Sequence, residues 1–356
     1  MSEKLKINKL VSPSWSWLKI NEAELDFDYK LENMLPELKN EEAFKFTENG
    51  TYLWSELPEL LSAAGSDSDS IFEDSLPAGI VVPKGKKISK PLVLNYNFAE
   101  GINAITSQVI VAEEDSEAEI YIVNTSDKTA TGFQALRTEI YAKANAKVHV
   151  LKVQLLGNNY IQVDDTASYS AENAEIKVDY VELGASKVYL ASGCNLKEYK
   201  ASFKSDMGYY VNEEQFLDMN FLVNHYGKKT VCRMNCAGSL KDKAKKTYRA
   251  TIDFKKGSAG SDGNEQEETL LLSPEVVNNS MPVILCTEED IAGEHGATIG
   301  RLSDDMLFYM ESRGLDKKVA ENVLARAKVQ TVVSEIKDGE TVEKIEKVLN
   351  EVFGQN

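Results

Sequence analysis

Apolar residues in the middle of the chain occur in short alternating runs. Between about 76 and 275, β-branched and other apolar residues alternate with polar ones, and Gly, Asn, Asp and Ser separate the runs. Alternation with turn residues between the runs predicts a succession of short strands. The clearest runs are GIVVP, PLVLNY, SQVIVAE, AEIYIVN, TEIYAK, AKVHVLKVQLL, AEIKVDYVEL and SKVYLAS.

Pairs of apolar residues recur in this strand region at a fixed interval of 28 residues. The pairs are Leu92 and Leu94, Ile120 and Ile122, Val148 and Val150, and Ile176 and Val178. A fixed period of paired strand residues predicts a β-solenoid, in which each turn buries its apolar face against the next turn. An antiparallel sandwich with accidental spacing is the alternative. Lys204 and Asp206 interrupt the period, so a change of register or a loop is expected there.

The residues between the apolar pairs are expected on the outside of the solenoid. If the pairs point inward, alternation places Val93, Tyr121, His149 and Lys177 in one row on an outer face. Polysaccharide lyases and hydrolases built on β-helices need paired carboxylates, or a Ca²⁺ site with a basic residue, on such a face. This row offers neither arrangement, which argues against that class of enzyme.

The first 75 residues have a different pattern. The segment PSWSWLKIN (13–21) is aromatic and interrupted, while NEEAFKFTENG (40–50) and LPELLSAAG (57–65) are predicted as short helices that end at glycines. The polar segment GSDSDS (65–70) lacks apolar periodicity and is predicted as a loop or linker. We therefore expect a separate N-terminal region over 1–75.

The chain is predicted to become helical from about 276, after a strand core over 76–275. Ser303 and Asp316 are candidate caps for two helices, and a third helix is predicted to start at Thr341. The third helix carries an apolar stripe of Val342, Ile345, Leu349 and Val352. Residues 276–356 are thus predicted to form a helical subdomain that packs on the sheet or offers a groove to a partner.

Composition limits the classes of partner. The formal net charge of −17 disfavours nucleic acid and anionic membranes. No apolar run of 18 residues is present, and the start MSEKLKINKL lacks the apolar segment of a secretory signal. Four cysteines are too few for a disulfide framework. A cytoplasmic protein is therefore expected.

Most sequence patterns that could support chemistry have a simpler structural explanation. Cys232 and Cys236 lie in a predicted strand, where four residues span roughly 13 Å, too far for one metal ion. They are expected to be buried apolar residues, as is Cys194. The segment KKGSAGSDGNEQEE (255–268) lacks the phosphate-binding pattern of a P-loop and is predicted as a mobile loop. Any ATP chemistry must come from another protein.

The chain contains three histidines. His149 is expected on an outer β-face and His225 in a loop, both with structural roles. His295 follows Glu294, lies between glycines, and precedes a predicted helix. With Glu294 and Cys286 it could ligate iron or zinc. Spacing alone favours a turn residue whose ring bonds a backbone group.

The C-terminal segment resembles a known family. AGEHGATIGRLSDDMLFYMESRGL is similar to the C-terminal signature of the SufB/SufD proteins of the SUF iron–sulfur cluster assembly system. The similarity continues upstream through YRATIDFKKGSAGSDGNEQEETLLLSPEVVNNSMPVILCTEED and is specific over about 245–330. The resemblance implies a mainly β fold: a right-handed parallel β-helix flanked by N-terminal and C-terminal α-helical segments.

The resemblance also implies partners. Family members assemble with SufC, an ABC-type ATPase that docks on the C-terminal helices, and SufB pairs with SufD through the β-helices. A transient iron–sulfur cluster is built at that contact, with sulfur from a cysteine desulfurase. We therefore expect a non-catalytic scaffold subunit that binds no cluster stably alone. The candidate docking residues are Met306, Leu307, Phe308, Tyr309 and Arg313, and most of the apolar ones are expected to be in the core.

Two details resemble the SufD branch. SufB proteins carry a cysteine near the place of Val276, and this chain reads EHGATIG where SufB proteins tend to read EHEATTS. By this resemblance His295 is the candidate cluster or metal ligand. Some SufD proteins have Cys-Ser before that histidine, whereas Gly293 and Glu294 stand here, so Glu294 is a candidate oxygen ligand. A SufB-like or homodimeric scaffold, or a purely structural subunit without metal ligands, remains an alternative. Cluster type, flavin binding and the role of Cys286 stay open.

Overall fold

Successive strands of the chain stack in parallel along two sheets. The computed structural model describes residues 3–47 and 57–354. The strands are β1 (Glu3–Ile7), β2 (Ala23–Phe27), β3 (Glu32–Asn33), β4 (Glu37–Lys39), β5 (Lys45–Thr47), β6 (Ala78–Val82), β7 (Leu92–Phe98), β8 (Asn103–Ala112), β9 (Glu117–Ser126), β10 (Thr131–Ala142), β11 (Lys147–Leu155), β12 (Asn159–Ser170), β13 (Glu175–Glu182), β14 (Lys187–Leu196), β15 (Ser202–Val211), β16 (Phe216–His225), β17 (Val231–Leu240), β18 (Lys245–Phe254), β19 (Ser261–Leu271), β20 (Val277–Cys286) and β21 (Ile291–Gly300). The helices are α1 (Asp304–Ser312), α2 (Lys317–Val333) and α3 (Gly339–Phe353).

The strand order defines a β-solenoid. The even-numbered strands from β6 to β20 form one sheet, and the odd-numbered strands from β7 to β21 form the other. From β6 onward each strand pairs in parallel with the strand two places on. The chain therefore crosses from one sheet to the other at every turn, which rules out the antiparallel sandwich and confirms the predicted β-helix.

The first turn of the solenoid is closed by antiparallel strands. β4 pairs antiparallel with β7, and β5 pairs antiparallel with β6. These two pairings reverse the strand direction, so they end the parallel stack at its N-terminal side. The last turn, formed by β20 and β21, has no such cover among the described residues.

The apolar pairs predicted from the repeat line the interior. All eight of these residues are buried in one continuous core. The spacing between turns varies, however: Leu92 pairs with Ile120, but Ile120 pairs with Val150 and Ile176 with Phe203. Because that last turn is one residue shorter than 28, Phe203 takes the inward place that a constant period assigns to Lys204.

Because the spacing between turns varies, the four residues predicted to form one outer row lie in two columns. Val93 stacks on Tyr121, but Tyr121 stacks on Leu151, and His149 stacks on Glu119. The four predicted residues do face outward, yet an extra two residues between β9 and β11 shift His149 into a neighbouring column. A constant period therefore identifies the face of these four residues correctly, but it places His149 and Lys177 in the wrong column.

The helical tail covers the outer face of the second sheet. Ile345, Leu349 and Phe353 of α3 are buried against it, and the Phe353 ring lies 4.6 Å from that of Tyr210. The predicted stripe is thus confirmed, although α3 begins at Gly339 rather than at Thr341. Among the described residues, no helix is long and apolar enough to cross a bilayer.

The structure confirms two predicted helix starts and moves one predicted boundary. Ser303 Oγ accepts from Met306 N at 3.2 Å, and Asp316 accepts from Val319 N at 2.9 Å, which confirms both caps. The change from strand to helix, by contrast, lies between Gly300 and α1 rather than at 275/276. The reason is that β20 and β21 continue the parallel register with β18 and β19. The glycine-rich segment 255–268 is likewise only partly a turn, because β19 begins at Ser261.

The described N-terminal residues contain short strands and 3-10 helices instead of the predicted α-helices. The 3-10 helices are Ser16–Leu18, Glu41–Ala43 and Ser66–Phe72, the last of these in the segment predicted as a linker. Residues 57–65 contain no helix, and their carbonyl groups accept hydrogen bonds from elsewhere: Asn8 N, next to β1, donates to Ala64 O, and Asn220 Nδ2 of the solenoid donates to Ala63 O. Residues 48–50, the end of the other predicted helix, lie outside the described residues.

A buried ion pair fixes the hairpin of β1 and β2 to the solenoid. Arg249 Nη1 donates to Asp218 Oδ1 at 2.7 Å, and both side chains are almost fully buried. Arg249 Nε also donates to Ile20 O at 2.7 Å, and Asn8 Nδ2 donates to Asp218 Oδ1 at 2.8 Å. Burial raises the pKa of Asp218, and the charge of Arg249 opposes that rise. The hairpin thus depends on a charge pair withdrawn from water.

Candidate functional site

The C-terminal end of the solenoid is open. β20 ends one sheet and β21 ends the other, and their outer edges pair with no strand among the described residues. Their residues are half-buried or exposed, whereas the preceding strands are mostly buried. An unpaired edge presents free N–H and C=O groups to any strand of suitable shape. This end therefore combines two free edges with inward-facing side chains that are exposed in β21, His295 among them.

His295 lies in the middle of β21, so the prediction of a turn was wrong. Its Cα partner in β19 is Glu265. The neighbouring glycines serve packing: a Cβ on Gly293 would lie 3.1 Å from the Phe254 ring, and one on Gly296 would overlap the Gln266 amide. Glycines beside a histidine, which indicated a sharp turn in the sequence, here allow close contact between adjacent strands.

Strand alternation separates the two predicted ligands. Glu294 points to the outer face, where its Oε2 accepts from Asn264 Nδ2 at 3.1 Å. His295 points to the opposite face, in register with Glu265, which is 2 % exposed. The His295 side chain is exposed because the solenoid ends there. A single ion therefore cannot bind both side chains without a change in the strand.

A group of polar side chains lies inside the solenoid beneath His295. We call it the mouth cluster, and it consists of Glu265, Glu267, Lys246, Tyr248 and Ser280. Lys246 Nζ and Ser280 Oγ both donate to the Glu267 carboxylate, and Glu265 bonds the Tyr248 hydroxyl. All five side chains point inward, as do the buried ion-paired Lys152 and Asp164 in earlier turns, whereas most of the other lumen residues are apolar. This cluster was not predicted from the sequence, although the run SDGNEQEET in β19, which holds no large apolar residue, could have indicated it.

The charges in the mouth cluster are unequally balanced. Burial raises the pKa of Glu265 to about 7, and the nearby charge of Glu267 adds to the effect. Burial by itself would lower the pKa of Lys246, but Tyr209, Cys236 and Glu267 raise it above the usual lysine value. Lys246 therefore stays charged and neutralises Glu267, while Glu265 has no cation of its own.

A second group of acidic side chains lies on the outer face, and a lysine ammonium already lies among its carboxylates. Carboxylate oxygens of Asp179, Asp206 and Glu335 are close enough together to hold a metal ion. The Lys177 ammonium, however, lies 2.9, 3.1 and 2.6 Å from them, and His149 Nε2 is 2.8 Å from Asp179. In the part of the chain that the structure describes, no other group of three such donors occurs. His295 thus belongs to an incomplete set.

Three of the four cysteines and His225 are buried, as expected of residues with structural roles, whereas Cys286 is exposed. Cys194, Cys232 and Cys236 are buried in the apolar core, as predicted, and burial raises the pKa of Cys194 to about 12. His225 is fully buried at the end of β16, not in a loop, and burial lowers its pKa to about 3. Cys286 is exposed at the end of β20, with its thiol 2.8 Å from the Glu288 carbonyl oxygen.

Helix α1 exposes apolar side chains. Met306, Phe308 and Tyr309 are 48, 73 and 58 % exposed, and Leu307 is half-buried. Arg313 extends over the Tyr309 ring at 5.4 Å from its centroid. The expectation that most of this set belongs to the core is wrong for the isolated chain, because α1 packs mainly against α2 at the edge of the fold.

Comparisons with known proteins agree with this architecture. Residues 97–328 match the family model described as "SUF system FeS cluster assembly, SufBD core domain". The chain is 22 % identical over 269 residues to the iron–sulfur cluster assembly protein SufD of Bacillus subtilis, covering 73 % of the chain and 60 % of that protein. It is also 22 % identical over 261 residues to SufB of the same organism, covering 72 % and 56 %.

A SufBD family protein of Staphylococcus saprophyticus gives a similar result, with 22 % identity over 259 residues and coverage of 72 % and 56 %. The chain thus spans somewhat more than half the length of the relatives that it matches. Its equal similarity to SufD and SufB leaves the branch undecided, but the family model covers most of the solenoid, α1 and most of α2. The chain therefore belongs to the SufB/SufD family of the SUF iron–sulfur cluster assembly system.

Proposed function

We propose that this chain is a SufD-type scaffold subunit on which an iron–sulfur cluster is assembled at the contact with a SufB-type partner. The observation that carries the proposal is the open end of the solenoid, where His295 is exposed between two free strand edges. Family membership supplies the chemistry, since the matched relatives are named as iron–sulfur cluster assembly proteins. The cluster is the product of the assembly rather than a resident cofactor.

Pairing with a second solenoid would use the free edges of β20 and β21. A partner strand added to an exposed edge gains a row of backbone hydrogen bonds without a large rearrangement. The same contact would cover the open lumen and bring the partner's side chains toward His295. A neutral imidazole suits Fe(II), and the partner would complete the ligand set that this chain leaves incomplete.

The exposed face of α1 supports a second contact, with a SufC-type ATPase. Met306, Phe308 and Tyr309 form an apolar surface beside Arg313. Exposed aromatic and arginine side chains are the residue types that most often dominate binding energy at protein interfaces. We propose that ATP-driven motion is transmitted through α1, and that this chain itself is not catalytic.

The SufD branch is favoured by two sequence features. Val276, half-buried at the edge of the core, stands where the resemblance places a SufB cysteine. The motif around His295 reads EHGATIG, the SufD form. In this proposal the SufB-type partner carries the thiolate, a cysteine desulfurase supplies sulfur to the assembly, and the complex works in the cytoplasm.

The proposal is tested by reconstitution with SufB-type and SufC-type partners from one organism. Co-purification of the three chains is expected, followed by anaerobic cluster formation from iron and sulfide, measured by absorbance and by iron content. His295→Ala should lower the cluster yield at least tenfold and leave the complex intact. His149→Ala is the matched control, because His149 lies on the outer face beside Asp179.

Two outcomes would change the assignment. Equal cluster yield from His295→Ala and from the unmodified chain would leave a purely structural subunit that orders its partners without binding metal. A stable homodimer of this chain that assembles cluster without a SufB-type partner would replace the heterodimer.

A further inference from the structure

One carboxylate oxygen inside the solenoid has no protein partner. Glu265 is 2 % exposed, and its Oε1 accepts no hydrogen bond among the described residues. Its only polar contact is with the Tyr248 hydroxyl. A buried carboxylate without a counter-ion or a full set of donors is costly, and native proteins seldom retain one without a use.

The neighbouring carboxylate shows the contrast. Glu267, two residues on and also inward, is bonded by Lys246, Ser280 and Thr269. The lumen can therefore satisfy an acidic side chain completely, and it does so at Glu267. Across the lumen on β20, Asn278 Oδ1 also lacks a partner among the described residues. Two unpaired oxygens thus remain at the open end.

His295 lies directly above the unpaired carboxylate. Glu265 and His295 are paired residues of adjacent parallel strands, so their side chains point to the same face. Within the described residues the His295 ring has no hydrogen-bond partner either. A buried acidic oxygen without a partner and an exposed imidazole without a protein partner therefore occupy neighbouring positions on one face.

We infer that Glu265 and His295 form this chain's half of a divalent-metal site in the mouth of the solenoid, and that Glu294 is not part of it. The carboxylate supplies the negative charge that Lys246 does not neutralise, and the imidazole supplies nitrogen. Asn278 Oδ1, on the opposite wall and without a partner among the described residues, is a candidate third donor. Mixed nitrogen and oxygen donors suit first-row divalent ions such as Fe(II). The identification of the ion as iron rests on the proposed function, whereas the site itself rests on the geometry.

The small number of histidines makes the test direct. The full chain, labelled with ¹⁵N only at histidine, gives ring signals from His149, His225 and His295. Co²⁺, a redox-stable substitute for Fe²⁺, is titrated, and paramagnetic changes in the ring signals are followed. We expect the His295 signals to change first. His149 and His225 serve as internal controls, since one is on the outer face and the other is enclosed in the core.

Matched variants identify the carboxylate. Glu265→Gln should raise the Co²⁺ dissociation constant at least tenfold, and Glu294→Gln, one residue from His295 but on the opposite face, should leave it unchanged. Urea unfolding of both variants checks that each is folded. Equal affinity for Glu265→Gln and the unmodified chain would overturn the inference, as would an effect confined to Glu294→Gln or the absence of any change at His295.

This measurement separates the site from the proposed function. It uses one chain and no cluster, so Co²⁺ binding that depends on Glu265 would stand even if no complex with partners formed. Conversely, cluster assembly that requires His295 but proceeds normally with Glu265→Gln, combined with unchanged Co²⁺ affinity, would refute the Glu265 site and leave the scaffold role intact.

Discussion

Replacement of Arg249 by methionine should loosen the N-terminal hairpin of β1 and β2. The variant removes the cation from Asp218, whose side chain is 2 % exposed and would retain only the bond from Asn8. An uncompensated buried charge of this kind costs about 3–5 kcal/mol. Loss of the bond from Arg249 Nε to Ile20 O adds about 1 kcal/mol. The expected total is therefore about 4–6 kcal/mol of unfolding free energy.

Two controls test the reasoning behind this value. In Asp218→Asn with Arg249→Met no charge remains to be buried, so most of the loss should be recovered. Arg233→Met breaks another arginine–aspartate pair, but the side chains of Arg233 and Asp262 are 40 and 42 % exposed, and the cost should stay below about 1 kcal/mol.

Urea unfolding followed by tryptophan fluorescence is the assay, since Trp15 and Trp17 lie between β1 and β2. Limited proteolysis, with the new N-termini identified by mass spectrometry, shows whether the hairpin is released first. A loss below about 1 kcal/mol for Arg249→Met, or an equal loss for Arg249→Met and Arg233→Met, would show that burial of the ion pair is not what fixes the hairpin.

Three further changes test other parts of the structure. His225→Gln should reduce the pH dependence of stability: because the folded-state pKa of His225 is lowered to about 3, the unfolded chain gains a proton below about pH 6.5 that the folded chain does not take up. Unfolding free energies at pH 7 and pH 5 should then differ by about 2 kcal/mol less in the variant, and an unchanged difference would contradict a neutral buried imidazole. Phe308→Asp should alter the stability of the isolated chain by less than about 0.5 kcal/mol but weaken SufC-type ATPase binding at least thirtyfold in calorimetry; unaltered binding would remove α1 from the proposed contact. Ile345→Ala, at a fully buried position, should cost about 2–5 kcal/mol and speed hydrogen exchange in α3, whereas unchanged exchange would mean that α3 does not depend on its apolar stripe.

The interior of the solenoid could be predicted because its apolar residues follow a local rule. Leu92 and Ile120 face inward because strand residues alternate, and a short window of sequence shows that alternation. The mouth cluster was not predicted because Glu265 and Glu267 put polar side chains inward, so the segment 255–268 shows no apolar alternation and was predicted as a mobile loop. A residue that breaks the pattern at a functional site is invisible to reasoning based on the pattern.

Column positions could not be predicted because they depend on the length of every intervening turn. The step between paired residues is 27 residues from Ile176 to Phe203 but 31 from Val231 to Asp262. The stacking of His295 on Glu265 therefore follows from the pairing of β19 with β21 and not from any local motif. Glu294 was a candidate ligand because it precedes His295 in the chain. In the structure, strand alternation turns the Glu294 side chain to the outer face, and the residue paired with His295 is Glu265.

The antiparallel strands at the start of the solenoid have a consequence for how large an assembly can become. β4 and β5 also have unpaired outer edges among the described residues, but each is three residues long, whereas β20 and β21 are ten residues long. A molecule with two open ends could add copies without limit and grow into a fibre. Very short edge strands are poor templates for further pairing, so two chains that meet at β20 and β21 leave only three-residue edges at the termini of the joint stack. Growth then stops at a pair. The number of chains in the assembly depends on the short strands that begin the solenoid as well as on the long strands that end it.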